Sequence, residues 1–239
     1  MAKRSPEPAK RILIVVTSTD EYRDAGYRTG LWLGELTHFY DVVTEAGHEV
    51  VIASTAGGRV PIDPESLGSL VVKMGDTDER YEDRAFMDLL SDTTRLRDVA
   101  REDFDAIYLT GGHGTMFDFP GNADLAGILR RLDGQGRIIS AVCHGPAGFL
   151  GATRADGKPF LDGRKVTGFS WPEEKLAGRN KVVPFRLDER LKAEGASYTK
   201  ALRPMASKVV TDGNLVTGQN PASAEGVAKQ VVKLLKKAQ

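Results

Sequence analysis

The segment RIISAVCHGPAGFL, residues 137–150, runs an apolar stretch directly into Cys143, His144, Gly145 and Pro146. Cys143 is the only cysteine in 239 residues. An Ile/Val-rich stretch of this kind is the pattern of a buried parallel strand, and the Gly-Pro behind it permits a sharp turn into a helix. The thiol is therefore expected at the carboxyl end of a strand and the amino end of a helix. There, backbone N–H groups and the helix dipole favour a thiolate, and open α/β sheets place their ligands at the same edge. This is the layout of a nucleophile elbow, with Cys in place of Ser. A lone cysteine taken without context is more often a small buried hydrophobe. Here the histidine that follows at once, the strand end and a second glycine-rich strand end at residues 108–120, YLTGGHGTMFDFP, shift the balance toward chemistry.

Glu35 is the second residue of interest. In TGLWLGELTHFYDVVTEAG the apolar residues Leu31, Trp32, Leu36, Phe39, Tyr40 and Val43 recur at helical spacing and define one face. Glu35 lies one turn after Leu31 and one turn before Phe39, on that face, while His38 is placed on the opposite, polar side. A carboxylate buried without a partner is costly, and its escape is a raised pKa that keeps it protonated. Glu35 is then either a protonated acid that hydrogen-bonds a thiol and shuttles a proton, or an edge residue that reaches solvent.

The turn Gly111-Gly112-His113-Gly114 also follows a strand. By itself it is an ordinary tight turn, since no Gly-Lys-Ser/Thr follows and the dinucleotide fingerprint is absent. If its strand lies beside the one carrying Cys143, its free N–H groups point at the thiol. With the amide of His144 they could then stabilise an oxyanion formed when sulfur attacks a carbonyl.

Composition narrows the partners. The chain carries 33 basic and 33 acidic residues, so no net field draws it toward nucleic acid or an anionic membrane, and a small-molecule site is the better expectation. No apolar run approaches a membrane span, and MAKRSPEPAK has no apolar segment behind its charges, so no signal peptide is expected. A single cysteine excludes an internal disulfide, which fits a reducing cytoplasm. Any redox cycle would need a partner thiol.

The elements that must position these residues alternate between strand and helix. RILIVVTS, HEVVIAST, FDAIYLTGG and GRIISAV are strand patterns, with helical patterns around residues 31–46 and in GNADLAGILRRLDGQG. Residues 1–10 are a polar tail expected to be disordered. Residues 56–104 hold little strand pattern but include the helical stretch ERYEDRAFMDLL. GRKVTGF is a short strand, followed by a polar, helix-poor stretch and then VVPFRLDERLKAEGA. SKVVTDGNLVTG is the pattern of a hairpin turning at Asp212-Gly213, and Ser223 is placed to cap the closing helix AEGVAKQVVKLLKKA. The alternation predicts one α/β domain over 11–239, a mostly parallel sheet with helices on both faces. Segments 56–104 and 171–207 are placed to cap the pocket.

In this order, TGLWLGELTHFY, TGGHGTMFDFP, AVCHGPAGF, VTGFSWPEE and DGNLVTGQNPASA resemble the ThiJ/PfpI superfamily, whose fold is like that of class I glutamine amidotransferases. Within it they are most similar to the branch of heat-shock chaperone-like, glutathione-independent glyoxalases, the glyoxalase III group. The resemblance covers nearly the whole chain from Lys10. It implies a flavodoxin-like α/β sandwich and commonly a homodimer. It also implies roles: Cys143 as nucleophile, His144 as adjacent general base, Glu35 as the glutamate that contacts the thiol, and Glu174 as third member, with Glu173 as the alternative. Gly111, Gly112 and His113 match the segment that supplies the oxyanion hole and binds substrate. Two departures stand out. Trp171-Pro172 replaces a small or polar pair, and LRPMASKVV lacks a Trp and a His seen in many members of the branch.

The implied reaction converts methylglyoxal to lactate. Cys143 attacks the aldehyde, His144 moves a proton through an enediol with help from Glu35, and the thioester is hydrolysed. The thiol supplies the covalent chemistry and the substrate its own acidic C–H, so neither a metal nor an organic cofactor is expected. An alternative is a stress protein, a chaperone or a redox sensor oxidised at Cys143. A further alternative is a hydrolase, hydratase or protein deglycase working on another carbonyl carbon. A peptidase ranks below these, because His144 on the same turn is not obviously aimed at the sulfur. Fold alone licenses no amidotransferase activity.

Overall fold

The computed structural model describes residues 8–23, 25–73 and 75–237. β1 (Arg11–Val16), β2 (Glu49–Ser54), β3 (Thr94–Arg95), β4 (Ala106–Leu109), β5 (Ile138–Val142), β8 (Val209–Asp212) and β9 (Leu215–Gly218) form one sheet, in the order β3-β2-β1-β4-β5-β9-β8. All neighbours run parallel except the hairpin β8–β9. Leaving aside the two edges, β2-β1-β4-β5-β9 is the doubly wound order of flavodoxin-like proteins, whose switch point lies between β1 and β4. β4, β5 and β9 are buried along their whole length, as continuous apolar runs in a covered parallel sheet should be.

The helix Leu33–Glu45 packs against the closing helix Ala224–Lys237, which also covers β5 and β9. The helix Ala123–Gly134 starts where the Asn122 side chain accepts from Leu125 N at 3.0 Å, and it packs on β5 and on the turn behind it. β6 (Lys165–Val166) and β7 (Ser197–Tyr198) form a separate two-stranded parallel pair.

Several local expectations are corrected. The stretch after GRKVTGF contains a helix, Trp171–Leu176, with Ser170 as N-cap and Glu173 closing a capping box, so Trp171-Pro172 are its first two residues. ERYEDRAFMDLL is broken at Asp83 into Thr77–Glu82 and Arg84–Asp88, because the Asp83 side chain caps the second piece. The two-residue strand Thr94–Arg95 has too little sequence to carry a pattern. In the hairpin Asp212 pairs with Leu215, so the loop is Gly213-Asn214, one residue later than expected, with the positive φ (59°) on Gly213. Ser223 sits in the 3₁₀ turn Pro221–Ser223, and its hydroxyl accepts from Lys208 N and donates to Asn220, tying the turn to the hairpin rather than capping the helix. Residues 1–7 of the expected disordered tail lie outside the described residues. Lys10 is held, its N–H donating to His48 and its carbonyl accepting from Glu49 N.

The two expected cap segments meet. Arg179 pairs with Glu65 across them, and its guanidinium stands over the Tyr27 ring, 5.6 Å from the centroid. Residues of the first segment wall a cavity of about 890 Å³ with Ser18 and Asp20 beyond the carboxyl end of β1.

Candidate active site

β5 ends at Val142 and the chain reverses at Cys143, whose φ of 57° lies in the left-handed region. For a residue with a side chain this costs about 1–2 kcal/mol, so the surroundings must hold it there. They do so with both backbone groups: Cys143 N donates to Gly218 O at 2.9 Å, and its carbonyl accepts from Phe169 N at 2.7 Å. Gly145 follows because a Cβ there would strike the carbonyl oxygens of Leu109 and Thr110. The turn continues into a 3₁₀ helix, Gly145–Phe149. The α-helix expected here is absent, since five residues of tight turn follow instead.

β4 lies beside β5 and delivers the glycine turn to the same edge. Gly112 adopts a φ of 96°, and its amide is the group that works to lower the Cys143 thiol. The Gly111 amide does not face the sulfur; it donates to Glu35 Oε2 at 2.8 Å. A Cβ on Gly111 would lie 2.7 Å from that of Cys143 and would also strike the Glu35 carboxyl, so only glycine fits between them.

Glu35 is fully buried on the inward face of its helix, and the edge alternative is excluded. Tyr108 from β4 donates its hydroxyl to the Glu35 carbonyl at 2.9 Å and stacks on Phe39 with centroids 3.7 Å apart, which fixes the helix over the sheet. Burial pushes the Glu35 carboxyl up to about 8, against the weaker opposing effects of Cys143 and Gly111 N. At neutral pH it is a carboxylic acid beside the thiol, with Oε2 held by Gly111 and Oε1 buried without a hydrogen-bond partner. His38 is half-buried under Gly75, with its Nε2 3.2 Å from the Thr77 hydroxyl.

His144 lies on the same turn as the thiol, yet its Nδ1 is 3.3 Å from Cys143 Sγ. The expectation that this imidazole is poorly aimed is therefore corrected. On its other side His144 Nε2 is 2.9 Å from Glu174 Oε2, and His113 Nε2 is 2.7 Å from Glu174 Oε1. A carboxylate only accepts, so both rings carry their proton on Nε2 and His144 Nδ1 is free to accept from the thiol. Burial alone would raise Glu174; the two histidines outweigh it and bring the carboxyl down to about 2. Burial, with His113 close by, lowers His144 below the ordinary imidazole value and keeps it neutral.

Glu173 is separate from this chain of contacts. Its Oε2 accepts from Ser170 N and Oγ, and its Oε1 from Met205 N, Gln219 Nε2 and Asn220 Nδ2, at 2.7–2.9 Å. His113 Nε2 is engaged by Glu174. Its ring lies 4.2 Å from that of His144 and 5.5 Å from that of Tyr22, centroid to centroid. Sequence reasoning did not foresee this His113–Glu174 pair, although the histidine within GGHG was its visible trace.

The resting sulfur is a thiol. Burial raises Cys143 well above the ordinary value, Glu35 adds to this, and the Gly112 amide only partly opposes it. This shift runs against the thiolate expected at a helix N-terminus, and the 3₁₀ turn supplies little dipole to a Cys143 that is 3% exposed. Proton transfer to His144 must accompany attack.

A strained cysteine elbow, an adjacent imidazole and a buried acid thus meet at one edge of a doubly wound, flavodoxin-like sheet. The chain belongs to the DJ-1/PfpI family, whose model matches residues 29–234. It is 32% identical to the glutathione-independent glyoxalase HSP31 of Saccharomyces cerevisiae over 95% of this chain and 98% of that one. Among solved structures, glyoxalase III of Candida albicans superposes with a TM-score of 0.87 at 31% identity, covering 94% of this chain and 96% of the other. The Francisella tularensis rapid encystment protein superposes with a TM-score of 0.89 at 37% identity, covering 95% and 99%.

Proposed function

We propose that this protein is a glutathione-independent glyoxalase that converts methylglyoxal to lactate. The observation that carries this is the line Glu35–Cys143–His144–Glu174, a thiol set between a neutral base and a protonated acid. The near full-length similarity to named glyoxalases supports the same reaction. As Cys143 attacks the aldehyde carbon, its proton passes to His144 Nδ1 and from there to the carbonyl oxygen, which becomes the hemithioacetal hydroxyl beside the Gly112 amide and leaves His144 neutral again. The imidazolium formed is balanced by Glu174. His144 and Glu35 then carry the proton from C1 to C2 through an enediol, giving a thioester that water hydrolyses to lactate. Cys143, His144, Glu35 and Glu174 are the catalytic residues in this scheme, and Glu173 is a positioning residue for the helix that presents Glu174.

The redox-sensor alternative is disfavoured by the buried, protonated thiol, since oxidation follows thiolate character and exposure. A reducing cytoplasm suits the free thiol, and no helix among the described residues is long and apolar enough to cross a membrane. A homodimer is the working assembly we infer from the family resemblance, with exposed Leu176 and Leu202 as apolar surface; sedimentation as a monomer would refute it. The reaction is tested by following methylglyoxal by proton NMR without glutathione. Stoichiometric lactate supports it, whereas loss of aldehyde without lactate means mere adduct formation and excludes it.

A further inference from the structure

We propose that His113, His144 and Glu174 form a binding site for a borderline-soft divalent cation of the zinc class, and that occupancy silences Cys143. The three side chains are buried and offer ligand atoms that all lie within 4.8 Å of one another. Two imidazole nitrogens and a carboxylate oxygen are the donor set of three-ligand zinc sites that keep a fourth position open. Zinc with ligand bonds of ~2.1 Å sets tetrahedral donors about 3.4 Å apart, so the cluster must contract by about 1.4 Å at most. The rings are confined for such a contraction, His113 between Tyr22 and His144, and His144 against Phe169 with centroids 4.5 Å apart.

The proton balance closes within the site. Each imidazole now donates its Nε2–H in a hydrogen bond to the Glu174 carboxylate. His113 Nδ1 is buried and has no hydrogen-bond partner. When the cation takes both Nε2 atoms, each ring keeps one proton by moving it to Nδ1, and no net proton is released. On His113 that places the proton on the unpartnered nitrogen. On His144 it converts the acceptor facing the thiol into a donor, so the base for Cys143 is lost. The silencing rests on the roles proposed above for Cys143 and His144; the binding does not.

The test is titration of metal-free protein with Zn²⁺ against a chromophoric chelator, in wild type, Cys143→Ala, His113→Gln and Glu174→Gln, each checked for folding by near-UV circular dichroism. The expected result is one equivalent bound by wild type and by Cys143→Ala, with His113→Gln and Glu174→Gln weakened at least ~10-fold. Zinc-edge absorption should show nitrogen and oxygen neighbours without sulfur. Should one glutamine variant fail to fold, the other and the absorption spectrum still decide. Absence of stoichiometric binding in wild type, or binding that Cys143→Ala abolishes and His113→Gln leaves intact, overturns the proposal. A wild type that binds zinc but turns over no methylglyoxal would instead refute the glyoxalase assignment alone.

Discussion

The Gly111 amide donates to the buried Glu35 carboxyl at 2.8 Å, and any side chain at position 111 would occupy the space of that carboxyl and of the Cys143 Cβ. Two neighbouring strand ends and one helix thus meet at a single atom's width. Glycine is required here for closeness, not for turn geometry.

Gly111→Ala therefore pushes Glu35 away from the sulfur. The expected outcome is loss of at least ~100-fold in kcat/KM, since displacement of a catalytic group by about 1 Å has that scale. Folding should survive, with a stability loss of about 1–3 kcal/mol from overpacking. Steady-state kinetics beside a urea melt would measure both, and unchanged turnover would show that Glu35 need not sit beside the thiol.

The pH dependence of stability separates the two buried acids. Glu35 is raised from 4.5 to about 8 in the folded protein, so the folded state holds its proton over that window while the unfolded chain has released it. Stability accordingly falls as pH rises from 4.5 to 8, by up to about 5 kcal/mol, and Glu35→Gln removes that slope. Glu174 has the opposite sign. Its carboxyl is lowered to about 2, so its contribution is complete above 4.5 and is lost as pH falls toward 2. Urea melts across pH for wild type and the two glutamine variants would test both slopes.

Activity should respond to Glu35 as well. Ionisation near pH 8 places a negative charge against the sulfur and raises the thiol further, so kcat/KM is expected to decline as pH rises through about 8. Glu35→Gln should be slower at every pH and lack this limb. A basic limb that persists unchanged in the variant would assign it to another group.

Adjacent residues Glu173 and Glu174 should separate cleanly in a mutant pair. Glu173→Ala removes the acceptor of five hydrogen bonds from Ser170, Met205, Gln219 and Asn220, most of them buried, and should cost about 3 kcal/mol or more of stability. Glu174→Gln should lower kcat strongly, because it removes the charge that balances the His144 imidazolium, whereas Glu173→Ala should leave the kcat of the folded protein largely intact. The reverse pattern would exchange the two roles.

The elbow was legible because a strand ending in Cys-His-Gly-Pro has few other uses, and Glu35 because its spacing from Leu31 and Phe39 puts it on an apolar face. The parallel sheet followed from the alternation of strand and helix patterns. The protonation of Cys143 was not legible, for it depends on burial and on Glu35, which reaches the sulfur only after β4, β5 and the helix Leu33–Glu45 are assembled. The helix Trp171–Leu176 was hidden because its inward face is built from Glu173 and Glu174, whose partners come from distant loops. An acid held by histidines 30 and 61 residues away leaves no hydrophobic period to read.

The most direct measurement is turnover of methylglyoxal to lactate, without glutathione or added metal, by wild type and Cys143→Ala side by side. Lactate formation by wild type and none above background by the variant is the predicted result. Equal lactate formation by both proteins would contradict the account, for it would place the chemistry away from the elbow.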